Sequence, residues 1–115
     1  MAAVAKLMEP KPAIDTEHLA RMTLGERSLE REVLELFGRQ ADMLLPRIRG
    51  GAPPMAAVSA HTLKGSAVGI GAFKVAHAVE QVEQAREAQI GAAVERLAAV
   101  LQETKAEIAR LLRAA

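Results

Sequence analysis

The sequence predicts an all-α fold, an antiparallel four-helix bundle with a short additional N-terminal helix. Three observations point there. Half of the 115 residues are hydrophobic but only 2% are aromatic, so the core must be built from Leu, Val, Ile, Met and Ala. Such a core suits close helix–helix packing better than a β-sandwich, which draws on β-branched and aromatic side chains. Apolar residues recur at helical spacing in segments separated by Gly and Pro, and no stretch shows strand-like alternation. The length fits one domain, with no internal repeat.

Residues 1–13 carry Pro10 and Pro12 and read as a flexible arm, leaving 14–115 for the bundle. Ile14-Asp15-Thr16-Glu17 has the form of a helix start, with Asp15 or Thr16 as N-cap and a short helix to about Met22. After Gly25 a long helix is expected from about Glu26 to Ile48, with Leu29, Val33, Leu36, Phe37, Gln40, Leu44 and Ile48 at helical spacing. Pro46 should kink it or weaken its last turn. Arg49-Gly50-Gly51-Ala52-Pro53-Pro54 is the strongest breaker, and a proline in the first turn starts the next helix, about Pro54 to Val68. Gly69-Ile70-Gly71 is expected as a turn. A further helix from about Ala72 to Ala88 places Val75, Val79 and Val82 on one face. The last, about Ala92 to Arg113, repeats Val94, Leu97, Leu101, Thr104, Ile108 and Leu111.

Several function classes drop out. Fifteen basic against fourteen acidic residues offer no basic stripe for nucleic acid and no surface for acidic lipid. Without cysteine there is no disulfide framework, thiolate nucleophile or zinc–thiolate site. No apolar run approaches the roughly 18 residues that span a bilayer, and the opening residues, interrupted by Glu9 and Pro10, are too short for a signal peptide. A cytoplasmic protein is expected. Its balanced charge and charged outer faces make a monomer the default.

The segment Ala60-His61-Thr62-Leu63-Lys64-Gly65-Ser66-Ala67 carries the chemistry. On a helical wheel Ala56, Ser59, Ala60, Leu63, Ala67 and Ile70 share a buried side, whereas His61, Val58, Gly65 and Val68 face outward and Lys64 lies at the edge. A solitary helix histidine is most often structural or merely solvated. Here the neighbours argue otherwise. Gly65, one turn on, costs the helix on the order of 1 kcal/mol relative to Ala, yet leaves the imidazole open to another protein's backbone and carboxylate. Lys64, three residues on, can offset negative charge on the imidazole. Val58 and Val68 flank the histidine as a docking patch. A neutral imidazole, abundant near pH 7, can attack phosphorus without a separate strong base.

His61-Thr62-Leu63-Lys64-Gly65-Ser66 resembles the signature of histidine-phosphotransfer (HPt) domains, a histidine followed by x-Leu-Lys-Gly-Ser/Ala. The resemblance continues in register through Gly71-Ala72, Val75, Val79 and Val82-Glu83, with Asp15 and Phe37 fitting the outline over about 14–113. It implies that His61 is the phosphoacceptor, Lys64 its electrostatic support and Gly65 the gap that admits a receiver domain. Glu83 stands where the family often carries Gln, which implies a residue that hydrogen-bonds the ring's other nitrogen and fixes its tautomer. An ordinary surface glutamate, paired with Arg86 or Arg39, is the plainer alternative.

The resemblance further implies a phosphocarrier that accepts and donates a phosphoryl group to and from aspartates of response-regulator receiver domains. Its partners are those receivers, a hybrid histidine kinase, or both. No cofactor is expected in this chain: Mg²⁺ belongs to the receiver, and Gly69-Ile70-Gly71 lacks the context of a nucleotide loop. Whether such a half-site counts as an enzyme is a matter of definition. Two alternatives are a phospho-accepting module of a chemotaxis-type or hybrid kinase, and a non-catalytic helical adaptor. The remaining histidines, His18 and His77, lack the Lys-Gly neighbourhood, and no ligand spacing supports a metal site with Glu80.

Overall fold

The structure, a computed structural model, describes residues 12–114. The expected N-terminal arm lies outside the described residues up to Lys11, while Ala13 and Ile14 are buried in the core. The helices are α1 (Thr16–Met22), α2 (Arg27–Gly50), α3 (Pro53–Ile70), α4 (Phe73–Gln84) and α5 (Glu87–Ala114). α2 packs on α3, α3 on α4, α4 on α5 and α5 back on α2, closing a four-helix bundle, with α1 laid against α3. This is the predicted fold. No helix among the described residues is long and apolar enough to cross a membrane.

Asp15 is the N-cap of α1, its side chain accepting the backbone N–H of His18 at 3.0 Å. α2 runs through Pro46 to Gly50, past the expected end at Ile48. Proline removes one hydrogen bond on the exposed side, but burial of Ile48 holds the turn beyond it. The core face of α2 is Leu34, Phe37, Ala41, Leu44 and Ile48. Leu29 and Leu36, read with that face from the sequence, are exposed instead. Their heptad spacing is itself helical, so periodicity merged two neighbouring stripes.

α3 begins at Pro53 and extends through Gly69 and Ile70, because buried Ile70 completes its apolar face. Of the expected turn only Gly71 leaves the helix, in the left-handed conformation (φ 81°). The α4–α5 boundary also differs. α4 stops at Gln84, the chain extends at Ala85 (ψ 139°), and α5 begins at Glu87 rather than near Ala92. This two-residue link contains neither Gly nor Pro and carries no local breaker. The centre of the bundle is Leu63, Val75, Val79 and Leu97, all fully buried, with Thr104 satisfied by donating to the Val100 carbonyl at 2.8 Å.

Candidate functional site

α3 presents its chemistry through the choice of which face the bundle covers. Ser59, Ala60, Leu63, Ala67 and Ile70 are buried against the bundle, which turns His61 and Gly65 to the outside. Val58 is 67% exposed and Val68 43% exposed, so the expected apolar flanks are present on both sides of the histidine. A Cβ added at Gly65 would meet nothing within 4 Å. A packing role for this glycine is therefore excluded. Its effect is to keep the surface beside His61 low.

Lys64 is half-buried on the side of α3 that faces α4. Its Nζ donates to Glu83 Oε1 at 3.4 Å and lies 3.9 Å from Glu80 Oε1. The hydrogen bond of Glu83 thus goes to Lys64, a partner that the sequence reading named neither for the ring-orienting role nor for the plain surface pair. Each of these side chains is about a third to a half exposed. At that exposure an ion pair contributes only about 0–1 kcal/mol, and the geometry serves position more than stability. α4 holds both carboxylates one turn apart, so the lysine is shared between them and its ammonium is held over the α3–α4 groove.

Two contributions escaped the sequence. Glu80 lies one turn before Glu83 and gained meaning only once α4 packed beside Lys64. His18, fifty positions from Val68, donates Nε2–H to the Val68 carbonyl at 2.9 Å and stands edge-on to Phe73, with ring centroids 5.1 Å apart. It thereby pins α1 to the C-terminal end of α3, where the Val68 carbonyl also accepts the Gly71 N–H at 3.2 Å. No local pattern marks such a contact. His77 is exposed on α4, and among the described residues no group of three or more His, Cys, Asp or Glu side chains is placed to hold a metal ion.

His61 is on the exposed face of α3. A cleft of about 950 Å³ runs between α4 and α5, lined by residues including Phe73, His77 and Val100, and His61 is not among them. The exposed imidazole is open to a partner protein that covers it from outside. The arrangement is an exposed imidazole on α3, with Lys64 three residues on along the same helix and exposed Val58 and Val68 on either side.

The family model described as Hpt domain matches residues 32–114. That span includes α3 with His61, Lys64 and Gly65, and α4 with Glu80 and Glu83. No curated protein and no solved structure matches the chain.

Proposed function

This chain belongs to the Hpt domain family, a phosphotransfer module of two-component signalling, and from that premise we propose that His61 is its phosphoacceptor. It takes a phosphoryl group from the aspartyl phosphate of one receiver domain and gives it to the aspartate of another. The observation that carries this reading is the exposed His61 beside the open surface of Gly65. The lone pair of the unprotonated ring nitrogen forms the phosphorus–nitrogen bond. The phosphorus–oxygen bond breaks with its electrons on the receiver carboxylate, and the other ring nitrogen keeps its proton. Mg²⁺ sits in the receiver's acidic pocket, in the cytoplasm where such receivers work.

Lys64 supplies positive charge to the phosphoryl oxygens. In the unmodified chain it is held by Glu83 and Glu80; the incoming phosphoryl group then competes with these carboxylates for the same ammonium. Glu83 serves the site by positioning Lys64 rather than by orienting the ring. Val58 and Val68 form the apolar rim on which the receiver docks.

The test is direct. Incubation with a phosphorylated receiver and Mg²⁺ is expected to label the chain with a phosphate that is acid-labile and alkali-stable, as a phosphoramidate is and an acyl phosphate is not. If no receiver or kinase domain from the same cell labels it, the reading is wrong.

Gly65→Gln gives a second expected result. The added side chain meets nothing in its own fold and removes a helix-interior glycine, so stability should rise by about 0.5–1 kcal/mol. Transfer should nonetheless slow about tenfold or more, because a loss near 1.4 kcal/mol in the docked complex suffices for that. Stopped-flow transfer rates and thermal melts check both halves; a lower melting temperature would show that Gly65 packs against something after all.

A further inference from the structure

α2 carries an apolar stripe that the bundle does not use. Leu29, Leu36 and Met43 are 37%, 56% and 51% exposed and recur every seven residues. At about 100° and 1.5 Å per residue they fall within about 20° of one line some 21 Å long. Glu32 and Arg39 lie about 40° and 60° to the same side of that line, at nearly equal distances before and after Leu36.

The charges on α2 divide into two groups. Arg31 pairs with Glu35 at 3.3 Å and donates to the Leu112 carbonyl, Arg49 pairs with Glu95, and Asp42 pairs with Lys105. Neither Glu32 nor Arg39 joins an ion pair among the described residues. The two that border the stripe are thus of opposite sign and uncommitted.

We infer that the α2 stripe is a self-association surface, on which a second copy of this chain packs its own α2 antiparallel about a two-fold axis through Leu36. A two-fold interface must be complementary to itself, and this stripe is. Leu36 meets Leu36, and Leu29 meets Met43 of the second copy. The same rotation keeps each flank on its own side, so Glu32 faces Arg39 of the second copy, twice. A parallel pairing would swap the flanks and set Glu32 opposite Val33, and Arg39 opposite Gln40, instead. Beyond Met43 the line reaches Arg47, and the antiparallel order brings it to the end of the second copy's α2 that carries Glu26. Three side chains per copy make a small apolar centre, so the dimer is weak and forms at high concentration. The charged faces that made a monomer the default are interrupted along this line.

Sedimentation equilibrium across dilutions from about 10 µM to about 1 mM tests this, with circular dichroism confirming that each variant is folded. Wild type is expected to rise towards twice its monomer mass. Leu36→Glu, which places two carboxylates on the axis, should stay monomeric throughout. Glu32→Arg should weaken association about tenfold, and Glu32→Arg with Arg39→Glu should restore it to within about threefold. A wild type that is monomeric throughout overturns the inference, including the case where Leu36→Glu slows transfer from a receiver and the stripe thus serves receiver docking. Failure of the double exchange to restore association overturns the antiparallel pairing. Phosphate labelling of His61 is read separately, so neither result decides the other.

Discussion

Replacing His61 by Gln is expected to abolish phosphoryl uptake to the background of the assay while leaving the bundle unchanged. The two halves rest on different facts. His61 is exposed on a helix whose buried side is complete without it, so its loss removes no packing. Gln has a good helix propensity, and a surface exchange of this kind changes stability by no more than about 0.5 kcal/mol. Circular dichroism and the melting temperature should therefore match wild type. Chemistry is lost because the amide nitrogen's lone pair is delocalised and cannot attack phosphorus, whereas the imidazole's free pair can. Label retained in the variant would point to another nucleophile. His18 is an unpromising one, since its ring is half-buried, held between the Val68 carbonyl and Phe73. His77 is exposed, but no Lys-Gly pair follows it. Phosphopeptide mapping of any residual label, after alkaline and acid treatment, would decide between them.

The fold was legible wherever one residue's neighbours along the chain settle its surroundings. The wheel of α3 separated Leu63 from His61 because residues two apart on a helix point about 160° from each other, and burial follows that division. Asp15 announced α1 because an N-cap acts on the N–H three residues away. On α2 the same method failed in part: Leu29 and Leu36 fit a helical period as well as Leu34 and Ala41 do, and only the bundle decides which stripe it covers. The Ala85–Arg86 break was invisible because neither residue type interrupts a helix, and it takes tertiary closure of α4 on α5 to turn the chain there. The site divides in the same way. Lys64 and Gly65 could be placed from His61 because i+3 and i+4 positions are neighbours on any helix. The partner of Glu83 could not, since it depends on how α4 is rotated against α3. The sequence reading sent that carboxylate to an imidazole or to an arginine, and the packing gives it to a lysine. His18 and Val68 meet only through the fold.

Gly71→Ala should show the opposite sign to Gly65→Gln, although both positions belong to the segment that presents His61. At Gly71 the backbone has φ 81°, where an L side chain is strained by about 1 kcal/mol or more. The new Cβ would also stand 2.7 Å from the Asp15 carbonyl oxygen and 3.2 Å from its Cβ and N. That neighbour cannot retreat cheaply. The Asp15 N–H donates to the Gly71 carbonyl at 2.9 Å, and the Asp15 side chain caps α1 through His18. Moving Asp15 therefore disturbs the cap of α1, and with it the His18 contact to Val68 at the end of the site helix. Strain and displacement together should lower stability by about 2–4 kcal/mol, a large share of the roughly 5–15 kcal/mol typical of a domain. The melting temperature should fall by about 10 °C or more. Transfer measured well below the new midpoint should be affected less than by Gly65→Gln, because Gly71 is buried away from the docking face. A loss under about 1 kcal/mol would mean that the loop before α1 yields freely, and the link from Asp15 through His18 to the site helix would then carry no mechanical weight.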